Sequence, residues 1–220
     1  GHEGPITVTA HRGAHQQAPE NTAAAIREAI AAGAAYAQID VQLSKDGVLV
    51  VTHDSDFSRT AGVATKVWDL TYAEIRAIPL GGKAAPEFRN EPAPTFDEVL
   101  AIARDRIRLN IELKYYGEHQ PRLAERVVEA LQARQMTNQA IIQCLEYEAL
   151  LEVRRLAPGI PVGYLLSVNA KHPSRLKVDF LAAESGRATG AFIQAAHRRG
   201  QQVHVWTVDT PADMERMIDL

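Results

Sequence analysis

Short apolar runs alternate along the chain with longer stretches in which apolar residues recur every three or four positions. The short runs predict strands and the longer stretches predict amphipathic helices, an alternation typical of a parallel sheet with crossover helices. Several runs are almost continuously apolar, as expected of strands that are covered on both faces. The predicted strands span residues 6–11, 36–43, 107–113, 140–145, 160–166, 179–184 and 202–208. The predicted helices span residues 21–32, 71–78, 95–103, 121–135, 147–157, 189–199 and 211–219.

One stretch departs from this alternation. Ser44-Lys45-Asp46-Gly47 is a tight-turn sequence between two apolar runs, so residues 40–44 and 48–53 are predicted to form a hairpin. Such a hairpin would bring His53 back beside Asp40, at the mouth of the sheet. The stretch that follows is rich in loop-forming residues. We therefore interpret residues 44–95 as a hairpin and a small insertion over the mouth, inside a single domain of residues 1–220.

The number of strands bears on the architecture. Counting the first half of the hairpin as the second strand, the favoured fold is a TIM (β/α)8 barrel with an insertion after that strand. Such a barrel needs one more strand after the helix at 211–219, and the chain stops at Leu220. This fold therefore predicts that the final strand is missing from this chain. An open doubly-wound sheet is the structural alternative.

Composition narrows the class of protein. Hydrophobic residues make up 46% and charged residues 23% of the chain, enough to bury a core. The formal charge is −3 and no basic patch stands out, which argues against a nucleic-acid partner. The single cysteine, Cys144, excludes an internal disulfide and a multi-cysteine metal site. No apolar run is long enough to span a membrane, and the start at Gly1 instead of Met indicates a processed or excised chain.

Polar residues with useful chemistry stand at or near the ends of predicted strands, which in a barrel face the active site. They are His11, Arg12, Gln38, Asp40, His53, Glu112 and Lys114. Paired histidines can take and deliver protons near neutral pH, and arginine can bind two phosphate oxygens at once. Carboxylates suit Ca²⁺ or Mg²⁺. Together these residue types are what hydrolysis of a phosphate ester needs.

Short motifs spread over residues 11–208 carry a family resemblance. They are His11-Arg12-Gly13, Pro19-Glu20-Asn21-Thr22, Gln38-Ile39-Asp40, Lys45-Asp46-Gly47, His53-Asp54, Ile111-Glu112-Leu113-Lys114 and Val205-Trp206-Thr207-Val208. In order and spacing they resemble the glycerophosphodiester phosphodiesterase family, over nearly the whole chain. The resemblance implies a barrel enzyme that cleaves a glycerophosphodiester into an alcohol and glycerol 3-phosphate. It also implies that the glycerol hydroxyl of the substrate attacks phosphorus, and that water then opens the cyclic phosphate.

The resemblance further implies roles for individual residues. It makes His11 and His53 the catalytic acid and base, and it makes Arg12 the phosphate-binding residue. The ligands of a divalent metal, Ca²⁺ or Mg²⁺, would be Gln38, Asp40 and Glu112, with Glu20 as a further predicted ligand. Lys114 and Trp206 are predicted to bind substrate, Trp206 as a wall for the alcohol group.

The chain departs from the family pattern at Gln38, where the family has glutamate. An amide oxygen can coordinate a cation but supplies no charge, so weaker metal binding is expected. Three explanations stay open. Other oxygens such as those of Glu20 and Glu184 compensate; the domain has become a phosphodiester-binding or sensory barrel; or the change was introduced to trap a ligand. The presence of both histidines and of Arg12 favours the enzyme.

Two further expectations concern relatives. A sphingomyelinase D-like phospholipase would use the same paired histidines, but residues 19–22 and 45–47 favour the glycerophosphodiesterases. Residues 59–63 and 71–75, with Trp68, are similar to bacterial members, some of which carry the catalytic domain after a membrane-embedded region. A tether to a membrane region outside this chain is therefore predicted.

Overall fold

The structure, a computed structural model, describes residues 9–10, 18–82, 86–166, 177–184 and 202–206. Its strands are β1 (Thr9–Ala10), β2 (Tyr36–Leu43), β3 (Leu49–Val51), β4 (Asp56–Phe57), β5 (Val63–Lys66), β6 (Arg108–Leu113), β7 (Ala140–Cys144), β8 (Val162–Leu165), β9 (Phe180–Glu184) and β10 (Gln202–Trp206). Its helices are α1 (Ala23–Ala31), α2 (Ser58–Ala61), α3 (Tyr72–Arg76), α4 (Phe96–Ala103), α5 (Leu123–Ala133) and α6 (Tyr147–Leu156). The helices predicted at 189–199 and 211–219 lie outside the described residues.

The main sheet follows the order of the chain. Its strands run β1-β2-β6-β7-β8-β9-β10, and each neighbouring pair on this path is parallel. A doubly-wound sheet would reverse its order at a switch point, whereas a barrel adds each new strand on the same side. The order therefore confirms the barrel type of fold over the open alternative. Within the described ranges, β1 and β10 are the two ends of the pairing order.

The predicted hairpin is present. β3 pairs antiparallel with the last three residues of β2, from Val41 to Leu43, and the turn closes with a 2.9 Å bond from the Ser44 amide to the Val48 carbonyl. Gly47 adopts a φ of 75° in this turn, which glycine accepts without strain. After the hairpin, the Thr52 amide donates to the Asp40 carbonyl at 2.9 Å. This bond brings the segment of His53 back beside Asp40, as the sequence predicts.

Helices cover the outer face of the sheet. In α5, Leu123, Val127 and Leu131 recur at helical spacing and are fully buried against the sheet. The same core contains Ile39 and Ile111, the residues of β2 and β6 that alternate with the polar positions of those strands. Outward-facing residues of these strands therefore build the core, and the opposite face is left for polar side chains.

The insertion after the hairpin has more structure than the sequence predicts. β4 and β5 pair antiparallel, α2 lies between them, and only α3 was expected from the pattern. A second apolar cluster lies beneath these elements, formed by Val50, Phe57, Val67, Leu70, Ile75, Ile78 and Ala93. The loop-rich composition misled the prediction because strands of two to four residues carry too little periodicity to detect.

Over the residues that the structure covers, the helices are too short or too polar for any of them to cross a bilayer.

Candidate active site

Two buried carboxylates face each other across β2 and β6. Asp40 and Glu112 are register partners, and their residues are 0% and 6% exposed. Lys114, which follows β6, contacts Glu112 Oε2 through its Nζ atom and lies 4.0 Å from Asp40 Oδ1. Burial acts to lower the pKa of Lys114, but the charges of Glu112 and Asp40 outweigh it and the pKa is raised. The lysine therefore stays protonated between the two carboxylates.

Gln38 lies on the same face of β2, two residues before Asp40, and is 3% exposed. Its Nε2 donates to Glu112 Oε1 at 3.5 Å, so the amide is oriented as a donor. Among the described residues no three His, Cys, Asp or Glu groups are arranged to hold a metal ion. Rotation of the Gln38 amide would nevertheless add an oxygen to the two carboxylates. The donor set fits a hard divalent cation in ligand type, with two charges instead of three.

Glu20 is placed differently from the other predicted metal ligands. Its Oε1 contacts Arg59 Nη2, and Arg59 Nε donates to Asp54 Oδ2 at 2.8 Å. Glu20 thus lies on the side of the site that contains the histidine. Its role as a metal ligand stays a prediction.

His53 is held by its neighbour in sequence. Its Nδ1 lies 2.5 Å from Asp54 Oδ1, and about a quarter of the imidazole is exposed. Burial acts to raise the pKa of Asp54, but hydrogen bonds from Arg59 and His53 outweigh it, so the pKa lies below its ordinary value. An ionised carboxylate on Nδ1 fixes the tautomer of the ring and leaves the other nitrogen for proton transfer.

The backbone of this segment is also fixed. Gln42 is fully buried, and its Nε2 donates to the carbonyls of Thr52, His53 and Asp54 at 3.0, 3.3 and 2.8 Å. The Tyr116 hydroxyl donates to the His53 carbonyl at 2.5 Å. The sequence analysis missed Gln42, although its position two residues after Asp40 places it on the same strand face.

The turn before α1 supplies another side chain that the sequence analysis missed. Asn21 Nδ2 donates to Asp40 Oδ2 at 2.9 Å, and Asn21 Oδ1 accepts from the Asp40 amide at 3.2 Å. The signal available was the Asn of the Pro19-Glu20-Asn21-Thr22 motif, to which the sequence analysis assigned no contact with the site.

The side chains of the remaining predicted site residues lie outside the described part of the structure. His11 and Arg12 lie outside the described residues. The backbone of Trp206 ends β10, in register with Glu184 of β9, and its side chain also lies outside the description.

A cavity of about 510 Å³ opens at the other end of the sheet, lined in part by Tyr36, Arg108 and Phe180, which begin their strands. Active sites of barrels form at the carboxyl ends of the strands. The candidate site is therefore the cluster around Asp40 and His53.

Comparison with known proteins shows which family the chain resembles. Residues 11–220 match the model of the Glycerophosphoryl diester phosphodiesterase family. The glycerophosphodiester phosphodiesterase of Caldanaerobacter subterraneus subsp. tengcongensis is 33% identical over 216 residues, which cover 96% of this chain and 89% of that protein. Among solved structures, an Oleispira antarctica phosphodiesterase in complex with the product sn-glycerol-3-phosphate gives a TM-score of 0.87 at 25% identity, covering 97% of this chain and 89% of that one. A glycerophosphodiester phosphodiesterase from Agrobacterium tumefaciens gives a TM-score of 0.82 at 27% identity, covering 98% and 92%. The chain therefore belongs to the glycerophosphoryl diester phosphodiesterase family.

Proposed function

We propose that this chain hydrolyses glycerophosphodiesters to an alcohol and glycerol 3-phosphate. The observation that carries the proposal is the joining of two kinds of group at one end of the sheet. The buried Asp40–Glu112–Lys114 cluster and the His53–Asp54 pair are linked by the bond from the Thr52 amide to the Asp40 carbonyl. Family membership and the product held by the Oleispira antarctica phosphodiesterase support the same substrate class.

The proton transfers fall to the paired histidines. One of His11 and His53 takes the proton of the attacking glycerol hydroxyl, and the other donates a proton to the leaving alcohol oxygen as its bond to phosphorus breaks. The roles reverse when water opens the cyclic phosphate, which returns both histidines to their starting states. Arg12 is proposed to bind the phosphate oxygens, and Trp206 is proposed to face the alcohol group.

Gln38, Asp40 and Glu112 are the residues that would hold a divalent cation, Ca²⁺ or Mg²⁺. When bound, such a cation polarises phosphoryl oxygens and offsets developing negative charge. Lys114 places a positive charge between the two carboxylates and is proposed to offer this charge to substrate. Because Gln38 contributes no charge, we propose that cation affinity is lower than with glutamate at this position.

The test is release of glycerol 3-phosphate from glycerophosphocholine, with Ca²⁺, with Mg²⁺ and with chelator. The chain is compared with its His11→Ala, His53→Ala and Gln38→Glu variants. We expect metal-dependent turnover that is lost in both alanine variants and enhanced by Gln38→Glu. Circular dichroism checks that the alanine variants are folded. Undiminished turnover in His11→Ala would overturn the role of that residue.

A second candidate function rests on Gln38 alone. A barrel with a weakened metal site could bind a phosphodiester, or act as a sensory domain, without cleaving it. Calorimetric binding of glycerophosphocholine, with turnover in the Gln38→Glu variant but not in the chain itself, would favour this function. The membrane tether outside this chain stays a prediction.

A further inference from the structure

Asn21 makes two hydrogen bonds to a single residue of the candidate site. Its Nδ2 donates to Asp40 Oδ2 at 2.9 Å, and its Oδ1 accepts from the backbone amide of Asp40 at 3.2 Å. The side chain is buried, with the residue 2% exposed. Both polar ends of one buried amide are therefore directed at Asp40, nineteen residues away in the sequence.

The backbone of Asn21 is held in an unusual conformation. Its φ is 55°, in the left-handed region that asparagine tolerates better than most residues other than glycine. Glycine would satisfy the backbone at this position without any side chain. What asparagine adds beyond glycine is the amide that reaches Asp40.

Starting the helix does not require this amide. Thr22 is the N-cap of α1: its hydroxyl accepts from the Ala25 amide at 3.2 Å and donates to the Pro19 carbonyl at 2.7 Å. Since the cap is complete without Asn21, the two bonds to Asp40 are not a by-product of capping.

The bonds fix how the carboxylate of Asp40 is turned. Oδ2 is held by Asn21, and Oδ1 is the oxygen that lies 4.0 Å from Lys114 Nζ, on the side of Glu112. Groups that orient a metal ligand commonly change metal affinity by about 10- to 100-fold when they are removed.

We propose that Asn21 is a positioning residue, which orients the Asp40 carboxylate so that Oδ1 faces Glu112, where a divalent cation would bind. The inference rests on the proposed function, because that function supplies the reason for a cation at Asp40. It assigns to the turn before α1 a part in the site that neither the pattern of charges nor the histidines reveal.

The test measures Mn²⁺ affinity by calorimetry, in the Gln38→Glu background so that three carboxylates are present. Mn²⁺ is the probe because it takes the same oxygen ligands as Mg²⁺ and Ca²⁺. Asn21→Gly keeps the left-handed backbone and deletes the amide. Asp105→Gly is the matched control, since Asp105 also has a positive φ, of 59°, and is exposed. We expect Asn21→Gly to weaken Mn²⁺ binding by about 10-fold or more, and Asp105→Gly to leave it unchanged, at similar melting temperatures.

The possible outcomes distinguish the role of Asn21 from the proposed function. Mn²⁺ affinity within twofold of the parent in a folded Asn21→Gly variant would overturn the role of Asn21 and leave the proposed function standing. If Asn21→Gly does not fold, Asn21→Ser, whose side chain is one atom shorter, takes its place with the same expectation. A parent that neither binds Mn²⁺ nor releases glycerol 3-phosphate would overturn the proposed function together with this inference.

Discussion

His53 is oriented by groups that take no proton in the proposed reaction. Asp54 binds its Nδ1, while Gln42 and Tyr116 hold its carbonyl. Asp54 is held in turn by Arg59, which also contacts Glu20. The position of the imidazole therefore depends on each of these contacts.

Asp54→Asn should slow the reaction more than it weakens substrate binding. An amide N–H donated to Nδ1 would place the imidazole proton on the other nitrogen, which then cannot act as a base. We expect kcat to fall by about 100-fold, with KM changed much less. Steady-state kinetics on glycerophosphocholine measures both.

The neighbouring acid supplies the control. Asp56 instead accepts hydrogen bonds from Lys66 Nζ and from the backbone amide of Ser58. Asp56→Asn should therefore leave kcat within about twofold, in keeping with loss of a surface ion pair. Equal losses in the two variants would mean that the negative charge of this loop matters and that the bond to Nδ1 does not.

Among the elements, the strands differ in the side chains that they place on the inner face of the sheet. β2 presents Gln38, Asp40 and Gln42 at alternate positions, whereas β8 presents no side chain at Gly163. The register partner of Gly163 is Phe180 of β9, and a Cβ atom at Gly163 would overlap the ring of Phe180. Glycine is thus required for the close packing of β8 on β9.

Gly163→Ala should destabilise the fold. The added methyl group would displace the fully buried ring of Phe180, and overpacking of this kind costs about 1–3 kcal/mol of unfolding free energy. Gly159→Ala is the control, because a Cβ atom there meets nothing within 4 Å; it should change the unfolding free energy by less than about 0.5 kcal/mol. Urea unfolding followed by circular dichroism gives both values, and equal values would contradict the packing argument.

The elements also show what a sequence can predict. Among the described residues the long strands and helices were predicted well, because their apolar residues form continuous runs, as in β2, or recur at helical spacing, as at Leu123, Val127 and Leu131 of α5. The grouping of Asp40, Glu112 and Lys114 followed, since parallel strands end at one edge. The contacts of Asn21 and the pair of Glu20 with Arg59 were not predictable in this way. They depend on side chains that are far apart in the sequence and meet only in the folded chain.

At the scale of the whole molecule, the fold brings together charged residues that are far apart in the sequence. Asp40 and Glu112 lie 72 positions apart in the sequence and become register partners in the sheet. Burial makes their repulsion costly, and the raised pKa of Lys114 shows how the cluster is balanced. In the proposed function, the residue at position 38 determines whether this balance is complete inside the protein or needs a cation from solution.

Gln38→Glu should change the stability of the whole fold in opposite directions with and without metal. In chelator, a third carboxylate would join a buried cluster that contains one lysine. We expect the unfolding free energy to fall by about 1–3 kcal/mol, because a charge is buried without full compensation. With Ca²⁺ at 100 times its Kd, binding to the folded state alone restores about 2.7 kcal/mol. Thermal unfolding with chelator and across a Ca²⁺ titration follows both effects.

Gln38→Met, which removes the bond to Glu112 without adding charge, should lose little stability and respond to Ca²⁺ no more than the chain itself. A Gln38→Glu variant that is as stable as the chain in chelator and indifferent to Ca²⁺ would show that Lys114 and the surrounding groups already balance three carboxylates, and the predicted cation site at Gln38, Asp40 and Glu112 would have to be abandoned.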